Sequence, residues 1–183
     1  IKGDVHDIFI ERNTMWIATY GSGVYKVTKM GEQWDWSNSV QYLGKEGLSD
    51  RVFDIEKLSS GELLFVSDPA IKYFDADNKE FKLYKQGVIP AYFQVTSIHE
   101  SEKGFLYLGT FNGGVYRLGL NDDSITFFDE KKGLSHNFIT SVQEDKDGLI
   151  WVGTFGGGIN IIKDDEIISL GLKEGVLDEF IQS

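Results

Sequence analysis

The 183-residue sequence contains no cysteine and only two prolines. Without cysteine, the chain can form no disulfide bond, thiolate nucleophile or cysteine-ligated zinc site. A chain without cysteine suits oxidising and reducing compartments alike, so cysteine content does not indicate the compartment. No apolar run approaches the roughly 18–20 residues that a membrane-spanning helix requires, and no charged-then-apolar signal segment opens the chain. Basic residues are outnumbered by acidic ones, 18 to 29, which gives a net charge of −11. We therefore expect neither a nucleic-acid ligand nor an anionic membrane surface as partner.

Glycine and aromatic residues are abundant. There are 21 glycines, aromatic residues make up 14% of the chain and charged residues 26%. This composition excludes a disordered or collagen-like chain and predicts a folded, turn-rich protein with one large domain or two small ones. The sequence begins with Ile1 rather than Met, and we expect that the original start is missing.

A unit of about forty residues recurs along the chain. Glycines that open a copy stand at positions 47, 87, 133 and 175, and a threonine or serine closes the second apolar segment at positions 19, 67, 110 and 154. The clearest copy reads GLS at 133–135, ITSVQED at 139–145 and GLIWVGTFGGGI at 148–159. A period of this length is typical of repeat architectures. The chain holds four copies and the beginning of a fifth.

Each copy contains four β-strand signals and no helical periodicity of useful length. Turn dipeptides such as Asp147-Gly148 precede a short apolar run such as Leu149 to Val152, a strand that must be covered on both faces. Four short antiparallel strands in ~40–45 residues is the pattern of a β-propeller blade. The sequence therefore predicts an all-β fold: a β-propeller fragment of about four four-stranded blades with the start of a fifth.

We place the blades at approximately 4–43, 47–86, 92–129 and 134–173, with residues 174–183 as the start of the next blade, so that a partial β-propeller spans 1–183. In three copies a small residue (Ala18, Gly109 or Gly153) follows an aromatic residue by two positions. We interpret the small residue as space in which a Trp or Tyr ring of the neighbouring sheet lies flat. The second copy has Asp68-Pro69-Ala70 in place of the glycines, and we expect it to be the least regular.

The motif formed by GLS, QED, GLIWVGT and GGGIN between residues 133 and 160 resembles the repeat of two-component regulator propellers. The resemblance is strongest at 133–162, good at 87–118, fair at 4–27 and weak at 47–74. It implies a piece of the periplasmic sensor region of a Bacteroidetes hybrid two-component system histidine kinase. It also implies carbohydrate sensing, a phosphorelay through other parts of the parent chain, and a location in the extracytoplasmic part of an inner-membrane protein.

Four blades of the seven that the resemblance implies would leave two blade faces uncovered. The run Phe180 to Ser183 matches Phe138 to Ser141, so the sequence stops within the first strand of a fifth blade. Full closure is what removes exposed strand edges from a propeller. We therefore expect either self-association through the open blade edges or closure as a distorted four-bladed ring.

Ligand-binding candidates come from two sets of loops that an antiparallel meander places on one face. These are the loops between second and third strands and those between a fourth strand and the next first strand, and such loop-rich mouths favour binding sites. The candidates combine aromatic rings with polar partners, which suits an oligosaccharide. They are Tyr20, Asp50, Arg51, Asp68, Tyr92, Phe111, Asn112, His136, Asn137 and Phe155.

Each candidate also has a plainer interpretation. Tyr20, Phe111 and Phe155 occupy one repeat position, for which packing between blades is the favoured interpretation, whereas solvated loop residues are the favoured interpretation of His136 and Arg51. The glycine run 156–158 opens no helix and so does not predict a phosphate site. The acidic turn at 145–148 lacks the spacing of a calcium loop and favours a solvated hairpin tip.

Three functional classes remain open. The first is a non-catalytic sensor segment without cofactor, catalytic residue or metal site, which contacts a membrane only through other parts of the parent chain. The second is a propeller enzyme, a lyase or glycosidase, which would require a convergent acid–base set on the mouth face. The third is a protein-interaction scaffold. The resemblance favours the sensor segment.

Overall fold

The computed structural model describes residues 1–89, 94–176, 178, 180 and 181. In this part of the chain the secondary structure consists of sixteen strands and three short 3₁₀ turns. The strands form four four-stranded antiparallel sheets, and in each sheet consecutive strands are neighbours. The predicted all-β class with four four-stranded blades is confirmed. The chain divides into two compact units, Ile1–Gly87 and Val88–Ser183.

The first unit contains blades 1 and 2. Blade 1 is formed by β1 (Asp4–Glu11), β2 (Thr14–Tyr20), β3 (Val24–Met30) and β4 (Gln33–Tyr42), and a 3₁₀ turn at Gly44–Glu46 follows it. Blade 2 is formed by β5 (Val52–Lys57), β6 (Leu63–Ser67), β7 (Ala70–Asp75) and β8 (Glu80–Leu83).

The second unit contains blades 3 and 4. Blade 3 is formed by β9 (Val95–Glu100), β10 (Phe105–Thr110), β11 (Val115–Gly119) and β12 (Ile125–Phe128), and a 3₁₀ turn at Glu130–Lys132 follows it. Blade 4 is formed by β13 (Ile139–Glu144), β14 (Ile150–Thr154), β15 (Ile159–Lys163) and β16 (Glu166–Leu170), with a 3₁₀ turn at Leu172–Glu174. An isolated antiparallel bridge joins Phe155 to Phe180, which lies in the segment 174–183 that the sequence predicts as the start of a further blade.

All four blades share one register. In each, the first strand pairs with the Thr or Ser that closes the second strand, and the register then shifts by a single-residue irregularity. Blade 1 has a second shift, between Lys26 and Thr28. The expectation that blade 2 is the least regular is therefore wrong. Its two-residue connection, Asp68-Pro69, closes the β6–β7 hairpin without the glycines of the other copies.

The blades within each unit pack through a small residue of one second strand and a branched residue of the next first strand. A Cβ added to Gly109 would lie 2.7 Å from Cγ2 of Ile139 and 3.2 Å from its Cβ. In the first unit, Ala18 belongs to the same buried cluster as Val52. The neighbour of the small residue is thus an aliphatic side chain. The expectation of a Trp or Tyr ring at this place is wrong. An aliphatic residue fits because the first strand of the next blade approaches along its apolar face.

Candidate functional site

A buried threonine fixes the loop between the second and third strands of three blades. The hydroxyls of Thr19, Thr110 and Thr154 donate 2.8 Å hydrogen bonds to the carbonyl oxygens of Gly23, Gly114 and Gly158, respectively. In blades 3 and 4 the same hydroxyl also accepts a backbone N–H from within the loop, at 2.9 and 3.1 Å. The recurring threonine therefore fixes the shape of each loop. The residue that follows the threonine is exposed in all three blades.

The two predicted loop sets meet directly. In the first unit, the N–H groups of Gly21 and Gly23 donate to the carbonyl oxygen of Asp50 at 2.7 and 3.0 Å. In the second unit, the N–H of Gly114 donates to the carbonyl oxygen of Asn137 at 3.0 Å. Gly23 and Gly114 both have positive φ, and a Cβ at either would lie within 2.3 Å of a carbonyl oxygen. These oxygens belong to Tyr42 and Phe128, so only glycine permits the loop to lie this close to the end of the fourth strand of its own blade.

Four phenylalanines form a continuous row on the loop face of the second unit. The ring centroids of Phe111 and Phe138 lie 4.3 Å apart, those of Phe138 and Phe155 5.0 Å, and those of Phe155 and Phe180 4.9 Å. Phe111, Phe155 and Phe180 are nevertheless 45–55% exposed. The rings of this phenylalanine row pack against one another and are also exposed. Neither of the two interpretations of this repeat position, packing or ligand contact, is therefore excluded. Only Phe138 and Phe155 are stacked, whereas Phe111 is tilted against Phe138 and Phe180 meets Phe155 edge to face.

The corresponding positions of the first unit are polar. Tyr20 forms an antiparallel bridge with Arg51, whose guanidinium carbon lies 5.5 Å from the tyrosine ring centroid. Arg51 also forms a 3.3 Å ion pair with Asp68. The imidazole of His6 stacks on the tyrosine ring at 5.9 Å. Three predicted candidates are therefore brought together here, and the tyrosine ring contacts both the guanidinium of Arg51 and the imidazole of His6.

An open depression lies on the loop face of the second unit, where its lining residues Asn112 and Asn137 adjoin Phe111 and Phe138 of the phenylalanine row in sequence. We call it the blade 3 depression; its volume is about 460 Å³ and its polar and aromatic lining comes from both loop sets and from the two outer strands of blade 3. The lining residues are Asn112, Gly113, Tyr116, Phe127, Asp129, Lys131 and Asn137. Two predicted candidates, Asn112 and Asn137, therefore lie in one concave site although they are 25 positions apart in the chain.

Hydrogen bonds preorganise the wall of this depression. The side-chain oxygen of Asn137 accepts the N–H of Glu130 at 2.9 Å, and the carboxylate of Glu130 accepts the N–H of Asn137 at 2.9 Å. Asp129 caps the 3₁₀ turn by accepting the N–H of Lys132 at 3.1 Å. The ammonium of Lys132 lies 4.0 Å from the ring centroid of Phe127. The hydrogen bond from Glu130 N–H therefore fixes the orientation of the Asn137 side chain at the wall of the depression.

The remaining candidates have structural contacts of their own. Nδ1 of His136 accepts the N–H of Phe138 at 3.0 Å, which fixes the entry into β13. The backbone carbonyl of Asp50 accepts the N–H groups of Gly21 and Gly23 and so joins the two loop sets of the first unit. Tyr92 lies outside the described residues.

Sequence reasoning missed Tyr116, Phe127, Asp129 and Lys131 as site residues. Tyr116 and Phe127 are directly opposed on β11 and β12. An aromatic pair at matched positions of two adjacent strands was a usable signal, because cross-strand partners lie on the same face of a sheet. Asp129 and Lys131 stand in the connection to the next blade, which belongs to one of the two loop sets predicted to lie on the mouth face.

Two negative findings apply to the described ranges 1–89 and 94–176 together with 178, 180 and 181. Within them no helix has the length and apolar character needed to cross a bilayer. Nor do His, Asp and Glu side chains in these ranges gather in a group of three or more that could hold a metal ion.

These features define a propeller-repeat chain whose loop face carries a polar and aromatic depression. Residues 133–156 match the model of the two component regulator propeller family. This match confirms the resemblance identified from the same segment of the sequence. No curated protein matches the chain.

Solved structures share the fold. The extracellular domain of BT4673 from B. thetaiotaomicron, a protein assigned as a hybrid two component system, has a TM-score of 0.77 and 19% identity over 94% of this chain and 25% of its own. The corresponding domain of BT3049 from the same organism has a TM-score of 0.74 and 24% identity over 96% of this chain and 23% of its own. The WD40 β-propeller domain of Doa1 has a TM-score of 0.68 and 13% identity over 99% of this chain and 58% of its own. The chain spans about a quarter of the length of the two extracellular domains.

Proposed function

We propose that the chain is a non-catalytic segment of the extracytoplasmic sensor region of a two-component signalling protein, and that the blade 3 depression binds an oligosaccharide. The family match at 133–156 and the fold shared with two extracellular domains support the sensor assignment. In the parent protein, the signal passes to a histidine kinase and a phosphorelay, and the sensor region lies in the periplasm.

The depression supports an oligosaccharide better than the other ligands considered. Asn112, Asn137, Asp129 and Lys131 supply hydrogen-bond donors and acceptors, while Tyr116 and Phe127 supply an aromatic wall. Pockets that place a few oriented polar groups beside apolar surface are typical of small-molecule sites. Lys131 and Asp129 carry opposite charges, so the lining favours hydroxyl-rich ligands over strongly ionic ones.

The lining also supports a binding role over a catalytic one. Among the described residues that line the depression, Asp129 is the single carboxylate. Glycosidases ordinarily require two carboxyl groups on opposite sides of the scissile bond. Signal transfer instead requires that the ligand bind two arrangements of the sensor with unequal affinity.

Calorimetric titration with a panel of neutral and acidic oligosaccharides of two to six units tests the proposal. We expect one member to bind, and we expect Asn112→Ala and Lys131→Ala each to weaken its affinity at least tenfold. Asn121→Ala is the matched control, because Asn121 is exposed in the β11–β12 turn of the same blade. A panel without any binder, or binding that is unchanged in both depression variants, contradicts the assignment of the depression.

A further inference from the structure

The blade 3 depression can be compared, position by position, with the corresponding surfaces of blades 1 and 4. Each of these three blades is followed by a 3₁₀ turn, at Gly44–Glu46, Glu130–Lys132 and Leu172–Glu174. The third and fourth strands before the turns also pair in corresponding registers, so residues of the outer strand and of the turn have counterparts in two other blades. Side chains that the repeat itself requires should recur, whereas side chains that serve only the depression should differ.

The aromatic ring of Phe127 differs from both of its counterparts, Gln41 in blade 1 and Ser169 in blade 4. Nε2 of Gln41 donates to the carbonyl oxygen of Ser22 at 2.9 Å. The hydroxyl of Ser169 donates to Oδ1 of Asn160 at 2.7 Å. Phe127 is instead 46% exposed and lines the depression. The repeat therefore fills this position with polar contacts in two blades and places an exposed ring there in blade 3.

A lysine fixes this ring. The ammonium of Lys132 donates a 2.7 Å hydrogen bond to the carbonyl oxygen of Phe127 and lies 4.0 Å from its ring centroid. The counterparts of Lys132 are Glu46 and Glu174, so the contact that fixes the ring is also specific to blade 3. A ring that is already held in place loses little conformational freedom when a ligand stacks on it.

The negative charge of Asp129 is a second difference. Its counterparts, four positions before the glycine that ends each turn, are Leu43 and Gly171. Because these uncharged residues precede the same kind of turn, the turn does not require an acidic residue there. Oδ1 of Asp129 accepts the N–H of Lys132 at 3.1 Å. A carboxylate has about four acceptor sites, so acceptor capacity remains for the hydroxyls of a ligand.

The positive charge of Lys131 belongs to the repeat. Its counterparts in the other two turns are Lys45 and Lys173. The lining charge by which the depression differs from the corresponding surfaces is therefore the negative charge of Asp129. The net charge of −11 acts in the same direction, because it disfavours the approach of anionic ligands.

We propose that the blade 3 depression selects neutral hexose oligosaccharides over oligosaccharides that carry carboxylate groups. One sugar ring lies with its C–H face on Phe127, and its hydroxyls donate charge-assisted hydrogen bonds to Asp129. A carboxylate on the sugar would instead meet the like charge of Asp129. This inference rests on the proposed function, because it requires that oligosaccharides bind in the depression.

Calorimetric titration with matched pairs of oligosaccharides tests the selectivity. The two members of a pair share length and linkage and differ in their units, with galactose against galacturonic acid, glucose against glucuronic acid, or mannose against mannuronic acid. We expect at least one pair in which the neutral member binds and does so about tenfold more tightly than the acidic member.

Asp129→Asn keeps an oxygen that can accept the N–H of Lys132 and removes the charge. We expect weaker binding of the neutral member and tighter binding of the acidic member, so that the ratio of their affinities falls about tenfold. Structural damage alone would weaken both members and leave the ratio unchanged. Asp147→Asn is the control for net charge, because Asp147 is exposed in the turn between β13 and β14.

Phe127→Leu removes the aromatic face and keeps an apolar side chain. We expect it to weaken binding of the neutral member on the order of fivefold. Ile125→Leu is the matched control, because Ile125 is 41% exposed on the same strand, and it should leave the affinity unchanged.

The possible failures of the two proposals differ. Tighter binding of the acidic members, an affinity ratio that Asp129→Asn leaves unchanged, or equal effects of Phe127→Leu and Ile125→Leu would each overturn the selectivity inferred here, while the depression would remain an oligosaccharide site. A panel without any binder contradicts the proposed function, and the inferred selectivity with it.

Discussion

Trp151 and Asp145 are joined by a 2.7 Å hydrogen bond from the indole Nε1 to Oδ2 of the carboxylate. The other carboxylate oxygen accepts the backbone N–H groups of Asp147 and Leu149 at 2.9 and 3.0 Å. One carboxylate therefore closes the turn before β14 and orients the aromatic residue two positions before Gly153. The acidic turn that was weighed as a calcium loop is satisfied by donors of the protein itself.

The first prediction concerns the pH dependence of this interaction. The Trp151 hydrogen bond, followed by the backbone N–H groups, lowers the pKa of Asp145 from its ordinary value of 3.8. A carboxyl whose pKa is lower in the folded state stabilises the fold above its unfolded pKa, and that contribution is lost as the pH falls through the folded pKa. We expect Asp145→Ala to lower Tm by a few degrees at neutral pH, with a difference from wild type that narrows below the ordinary carboxyl pKa.

Thermal unfolding followed by circular dichroism across this pH range measures the effect. Asp147→Ala is the control, because Asp147 is exposed in the same turn and contributes its backbone N–H rather than its side chain to the network. A Tm difference for Asp145→Ala that is the same at all pH values would show that the carboxylate charge is not involved.

The second prediction concerns the threonine that fixes the second-to-third loop. The hydroxyl of Thr154 donates to the carbonyl oxygen of Gly158 and accepts the N–H of Gly157. Thr154→Val keeps the shape and removes both bonds, so we expect a loss of about 1–2 kcal/mol in the free energy of unfolding. Hydrogen exchange of the Gly157 amide should also become faster. Thr154→Ser retains the hydroxyl and should leave that exchange rate close to wild type; equal rates in both variants would contradict the role of the hydroxyl.

The third prediction concerns the contact between blades 3 and 4. Gly109→Ala places a methyl group 2.7 Å from Cγ2 of Ile139, and we expect this overpacking to cost about 1–3 kcal/mol in the free energy of unfolding. The first unit uses Ala18 and Val52 at the same positions. Transferring that pair as Gly109→Ala with Ile139→Val should therefore cost less than the sum of the single changes, because the smaller partner makes room.

Urea unfolding of the four chains of this double-mutant cycle measures the coupling. Strict additivity would mean that the two positions do not determine each other's size, and that the approach of the two strands is set elsewhere.

The repeat explains why the sheets were predictable. The Thr–Gly loop and the two-sided apolar run are local patterns, and each recurs at the same register. The ends of strands were less predictable: β4 extends from Gln33 to Tyr42, although only Val40 to Leu43 carried a strand pattern. Many side chains of β4 are exposed, so burial places no constraint on the sequence there. The regularity of blade 2 was missed because Asp68-Pro69 closes its hairpin by a different local geometry.

The candidate site was predicted in part. Asn112 and Asn137 were identified because they lie on loops whose side of the sheet follows from the meander. The opposed pair Tyr116 and Phe127 on β11 and β12 indicates a shared aromatic face, but the strand pattern alone does not tell whether that face borders a depression. That information resides in the connection after blade 3, where Asp129 and Lys131 complete the wall.

The fourth prediction compares a pair of the phenylalanine row with the ion pair that stands at the corresponding positions of the first unit. Phe138 and Phe155 stack with an interplanar angle of 27°, and aromatic pairs contribute about 0.5–1.5 kcal/mol beyond burial. A double-mutant cycle of Phe138→Leu and Phe155→Leu should yield a coupling free energy in this range that is insensitive to salt. The corresponding pair in the first unit, Arg51 and Asp68, is a partly exposed ion pair, for which about 0.2–1 kcal/mol is typical.

The cycle of Arg51→Met and Asp68→Asn should therefore give a smaller coupling that declines between 0.05 and 0.5 M NaCl, because exposed charges are screened. Chemical unfolding in urea at both salt concentrations measures both cycles without adding further ions. A salt-dependent coupling at Phe138 and Phe155 would contradict the assignment of that pair to ring contact. A salt-independent coupling at Arg51 and Asp68 would contradict the assignment of that pair to charge. With the expected result, the same pair of repeat positions joins the start of the first strand to the end of the second strand within one blade, through ring contact in blade 4 and through charge in blade 2.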